Sequence, residues 1–153
     1  MKTIFVIMLL MMCRFTGTQQ KPITEKIGKI TYDAGGGYPG GAEIITITKD
    51  SIFYTNYGIR HKQRKERIKN SVIIWNNIVN SFNLADFDKI RSCEGSRELD
   101  GIDYRISIET DTKKERLLID GFKDKDNYVK ISGLVVALQK QLHRFNHKSV
   151  IDR

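Results

Sequence analysis

From Ile102 to Glu109 the chain alternates without a break. Ile102, Tyr104, Ile106 and Ile108 are apolar, and Asp103, Arg105, Ser107 and Glu109 between them are polar or charged. A period of two puts the first set on one face of a β-strand and the second on the other, so one face is predicted to be core and the other wet. Such a strand is stable only beside other strands and beneath a cover.

Both are predicted elsewhere in the chain. Strands are expected over Lys26–Asp33, with Ile30 and Tyr32 on one face, over Glu43–Lys49, and over Ile52–Tyr57 after a turn at Lys49-Asp50-Ser51. A hairpin partner at Glu115–Asp120 is expected to bury Leu117 and Ile119. Ile59–Lys69 reads as a polar edge strand or arm. The period changes to 3.6 in two places: Val72, Trp75, Ile78, Val79 and Phe82, with Ser71 as N-cap, and Ile131, Leu134, Val135, Leu138, Leu142 and Phe145. The predicted class is therefore α+β: a largely antiparallel sheet of five to six strands with two main helices packed on one face. With 40% hydrophobic and 29% charged residues the chain is apolar enough to close a single core.

The N-terminus reads as a targeting segment. Lys2 supplies a positive start, and Thr3 to Met12 form an apolar run too short to span a bilayer. Residues 1–18 are assigned to an export signal and 19–24 to a tether; 25–146 form the domain and 147–153 a C-terminal tail. Two processing routes compete. Leu10-Met11-Met12-Cys13 has the form of a lipoprotein box with Cys13 as the lipidation site, although Met12 is large for the position before the cysteine. Cleavage near Thr18 is the alternative, and it takes the formal charge from +8 to +6 by removing Lys2 and Arg14. Either route leaves Cys93 as the one thiol of the fold, without a disulfide partner.

Four groups of residues invite a chemical reading. Gly35-Gly36-Gly37-Tyr38-Pro39-Gly40 matches G-x-G-x-x-G, but a strand follows it and no helix, so no helix N-terminus is offered to a phosphate. A flexible or bulged turn is expected there, with Gly36, Gly37, Tyr38 and Gly40 as candidate partner contacts. Arg60, Lys62, Arg64, Lys65, Arg67 and Lys69 place six cations in ten residues and are candidate polyanion contacts. No aromatic residue is interleaved with them for base stacking, and a solvated edge that deters aggregation is the competing explanation. His143 and His147 have the i, i+4 spacing of a metal pair but lack a third ligand in sequence. Asp120, Asp124, Asp126 and Asn127 lack the glycine and distal glutamate of a calcium loop. The pairs Asp86/Asp88 and Asp100/Asp103 suit turns and caps.

The glycine segment, Trp75 leading to Phe82-Asn83-Leu84-Ala85-Asp86-Phe87, the strand start Leu99-Asp100-Gly101-Ile102-Asp103, and Asp120-Gly121-Phe122 before the last helix resemble a group of small exported proteins of Bacteroidota-type bacteria. These share a GGG-x-x-GG loop. The resemblance implies a secretory or lipoprotein origin and no known activity. The expected location is exported: periplasmic, anchored as a lipoprotein, or secreted. The expected function is a non-catalytic envelope module that binds a protein, peptide or glycan, without a cofactor or metal. Nucleic acid is not an expected partner, and a membrane is expected only through a lipid anchor. The alternatives are a hydrolase-like enzyme whose site, including His61, is assembled by folding, and a polyanion-binding module using the 60–69 run.

Overall fold

The computed structural model describes residues 25–36, 41–58, 63–93, 102–112 and 114–151, with side chains up to residue 146. Residues 1–24, which include Cys13 and the segments expected to be an export signal and a tether, lie outside the described residues. Six strands, β1 (Ile27–Gly36), β2 (Gly41–Thr48), β3 (Ser51–Gly58), β4 (Arg64–Lys69), β5 (Ile102–Thr110) and β6 (Glu115–Ile119), form one sheet in the order β4-β3-β2-β1-β5-β6. Every pairing is antiparallel. Among the described residues three α-helices complete the α+β fold: α1 (Val72–Val79), the short α2 (Leu84–Phe87) and α3 (Lys125–Ile151).

Register explains the core. Ile108, Ile30, Ile47, Ile52 and Ile68 occupy one row across five strands, and Leu118, Ile106, Tyr32, Ile45 and Tyr54 occupy the next. These side chains meet Ile131, Leu134, Val135, Leu138 and Phe145 of α3, together with Trp75 and Ile78 of α1. Ser71 caps α1, its hydroxyl accepting the Ile74 N–H at 3.1 Å. Helix α3 lies so close to the turn after α1 that a Cβ at Gly133 would stand 2.4 Å from the Ser81 carbonyl oxygen. Only glycine permits that approach.

Several expectations require correction. In β6 the inward residues are Arg116 and Leu118, while Leu117 is 56% exposed. The hairpin fixes this register by pairing Ile108 with Arg116 and Ile106 with Leu118, and a one-residue shift exchanges the faces. Arg116 is tolerated inside because Asp88 and Glu25 meet its guanidinium at 2.6 and 2.7 Å. Its hydrogen bond to Asp88 is the main reason its pKa is raised. Ile102 and Val72, both expected in the core, are exposed at the ends of their elements. Helix α3 begins at Lys125, six residues before Ile131, the first residue of the predicted stripe, and its backbone runs to Ile151. Asp124 starts it by accepting the Asn127 N–H at 2.9 Å.

Asp120 sits in the left-handed region, φ 50°, where its carboxylate accepts the Tyr104 N–H and its own N–H donates to the Tyr104 carbonyl, both at 2.8 Å. This double clasp holds the turn between β6 and α3 against the start of β5, and it compensates for a backbone conformation that asparagine and aspartate tolerate better than most. Among the described residues the other sheet face is uncovered by helices. It carries Thr31, Thr46 and Thr55, the Lys29–Glu109 ion pair, and Lys65, Arg67 and Lys69 of β4.

Candidate functional site

Reading each strand's inward series toward the glycine end gives the same change of character four times. β2 runs Ile47, Ile45, Glu43; β3 runs Ile52, Tyr54, Asn56; β4 runs Ile68, Glu66, Arg64; and β5 runs Ile108, Ile106, Tyr104. The covered face is thus apolar at one end and polar at the other. Above the polar end, α3 presents Gln139, Leu142, His143 and Asn146, whose i, i+3, i+4, i+7 spacing makes one stripe.

Sheet and stripe enclose a cleft of about 620 Å³. Its sheet side is formed by Tyr32, Ala34 and Gly36 of β1, Gly41, Ala42 and Glu43 of β2, Asn56, Tyr57 and Gly58 of β3, and Ile102 and Tyr104 of β5. The volume lies within the range of small-molecule sites. Three strands reach the cleft through glycine, so backbone is exposed there without side chains to block it. Gly36 has φ 110°, a conformation that favours glycine.

The floor is cross-linked by hydrogen bonds. The Tyr54 hydroxyl donates to Glu43 Oε1 at 2.8 Å and lies 3.2 Å from Asn146 Oδ1. Asn56 Nδ2 donates to the same Glu43 oxygen and to Tyr54 Oη, both at 3.2 Å. The Tyr54 ring stacks on Phe145 of α3, centroids 4.8 Å apart and planes 6° apart, so the hydroxyl is fixed from above as well as from the side. Burial pushes the Tyr54 pKa up to about 12, and that of Tyr32 likewise, although Gln139 hydrogen-bonds the Tyr32 hydroxyl and lowers it in part. Both phenols are therefore protonated donors throughout the neutral range.

The sequence-derived candidates are distributed unevenly. Gly36 lines the cleft, while Gly37, Tyr38 and Gly40 lie outside the described residues. The basic run is divided by strand alternation. Arg64 turns to the helix side, where it pairs with Glu66, donates to the Phe145 carbonyl at 3.2 Å and lies over the Tyr54 ring. It thus lies on the opposite sheet face from its neighbours in the run. Lys65, Arg67 and Lys69 face the open side, and Arg60, His61 and Lys62 lie outside the described residues. His143 lines the cleft; the side chain of His147 lies outside the described residues.

Asp120 and Asp124 are engaged with backbone N–H groups. Asp86 pairs with Lys89, and Asp88 with Arg116. Among the described residues no three His, Cys, Asp or Glu side chains are grouped closely enough to hold a metal ion, and no helix is long and apolar enough to cross a membrane. Glu43, Tyr54, Asn56, Gln139 and Asn146 were not singled out as site residues from sequence. The signal that identifies the three strand residues is the shared inward drift from isoleucine to polar residues, and Gln139 and Asn146 share the helical stripe above them. Comparison with protein-family models, curated proteins and solved structures gives no match.

Proposed function

We propose that the chain is a non-catalytic binding module of the cell envelope, exported by its N-terminal segment, and that its ligand is a hydroxyl-rich unit of a glycan held in the cleft between the glycine end of the sheet and α3. The supporting observation is the fixed Glu43–Tyr54–Asn56 floor. A carboxylate oriented by two neutral donors is a preorganised acceptor for ligand hydroxyls, and the amides of Asn56, Gln139 and Asn146 both donate and accept. Tyrosine rings at the walls add apolar area for the flat faces of a sugar.

Isothermal titration with soluble envelope glycan fragments tests this. Glu43→Gln is expected to weaken binding about 10-fold or more, because a charge-assisted bond is replaced by a neutral one. Its melting temperature is expected to change little. Equal affinity in the variant would contradict the proposal.

A hydrolase reading has one observation behind it: Glu43 and His143, a carboxylate and an imidazole, line the same cleft. Glycoside hydrolysis ordinarily uses two carboxylates across the scissile bond, and Glu43 is the only one lining this cleft among the described residues. Release of reducing ends from a bound fragment, abolished in Glu43→Gln, would favour that reading over simple binding.

A further inference from the structure

The open face of the sheet carries a second feature, built by β3 and β4 and separate from the cleft. Alternation places Lys65, Arg67 and Lys69 in a row along β4, successive residues about 6.8 Å apart. Elsewhere on this face Lys29 pairs with Glu109 and Arg105 acts on Asp33, while the carboxylates of Asp103 and Glu115 lie on β5 and β6, at the far side of the sheet from β4. Along β4 no carboxylate pairs with Lys65, Arg67 or Lys69 among the described residues. Edge protection requires only mobile charge. Arg67 is instead fixed. Its Nε and Nη2 donate to the buried Ser51 hydroxyl at 3.3 and 2.9 Å, and its guanidinium lies 4.9 Å from the centroid of the Phe53 ring on the adjacent strand. The stack holds the planar cation over the sheet, where a carboxylate or sulfate can meet its remaining N–H groups.

We propose that this row binds a linear anionic polysaccharide carrying a carboxylate or sulfate on its repeating sugars. Charge complementarity selects a polyanion, and the state of Phe53 selects among polyanions. Single-stranded nucleic acid is held by bases stacked on free aromatic faces, and here a ring face is taken by Arg67. A polysaccharide needs no such platform. The threonine hydroxyls of β1, β2 and β3 on the same face, Thr31, Thr46 and Thr55, supply partners for its sugar hydroxyls.

The test measures retention of the full chain on heparin and affinity for a soluble polyuronate across a salt series, beside an oligothymidylate of matched charge. Lys65→Gln and Lys69→Gln are each expected to lower the eluting salt and to reduce the slope of log affinity against log salt by about one. Arg67→Lys, which keeps the charge and loses the planar stack, is expected to weaken binding several-fold. Lys140→Gln, on the exposed face of α3, controls for net charge and is expected to have little effect. Lys65→Gln, outside the cleft, should leave the affinity for neutral glycan fragments unchanged, so failure here and failure at the cleft are read separately. Unchanged retention in the three β4 variants, an equal loss in Lys140→Gln, or tighter binding of the oligothymidylate would overturn the proposal.

Discussion

The two ends of the covered sheet face are built from the same strands beneath the same helix, yet one is closed and apolar and the other open and polar. At one end Ile30, Ile47, Ile52 and Ile108 stand fully buried in one row. At the other, Ala34, Glu43, Asn56 and Tyr104 stand in register with one another and border open space. Burial of apolar surface stabilises the fold, and it does so wherever the row is complete. The polar row adds little to stability because its groups would be hydrogen-bonded to water in the unfolded chain as well. The difference teaches that, if the cleft is the ligand seat proposed above, stability and recognition are separated along the strands, and not assigned to different layers.

The sharpest way to break this division is Ile47→Ala set against Asn56→Ala. Ile47 has no accessible surface, and its truncation is expected to cost about 3 kcal/mol in denaturant unfolding, the order seen for large-to-small changes in cores. Ligand affinity of the folded protein should stay the same. Asn56→Ala is expected to cost about 1 kcal/mol or less and to weaken ligand binding about 10-fold. A reversal of these effects would abolish the distinction between the two ends.

Much of the stable end is legible in the sequence, because period-two and period-3.6 patterns report burial directly. The alternation of β5, the Ser71 cap and the stripe of α3 all follow from single segments. β6 shows where that logic stops. Leu117 and Ile119 look like its buried pair, but the hairpin register buries Arg116 and Leu118, and the arginine is accepted because Asp88 and Glu25, remote in sequence, neutralise it. The cleft is harder still. Glu43, Asn56, Tyr104 and Asn146 come from four separate elements, and each taken alone resembles an ordinary polar strand or helix position. Only pairing shows that the inward series of neighbouring strands turn polar at the same level. Likewise the basic run reads as one patch until alternation sends Arg64 to one side and Lys65, Arg67 and Lys69 to the other.

A smaller effect sharpens the comparison through pH. Tyr54 has its pKa raised from 10.0 to about 12 by burial. A group that holds its proton more tightly when folded contributes stability that is complete below pH 10 and is lost as the pH rises through 12. Tyr54→Phe is expected to flatten the alkaline limb of the stability profile over that window while changing stability at pH 7 by about 1 kcal/mol or less. An unaltered alkaline limb would mean that the phenol is not confined as described.

The most direct measurement is a titration of isotopically labelled protein with soluble envelope glycan fragments, followed by amide chemical shifts. If the polar end is the ligand seat, saturable changes concentrate at Gly36, Gly41, Asn56, Gly58, Gln139 and Asn146, and the amides of Ile30, Ile47, Ile52 and Ile108 stay in place. Saturable changes confined to other surfaces, with the cleft amides unmoved, would contradict it.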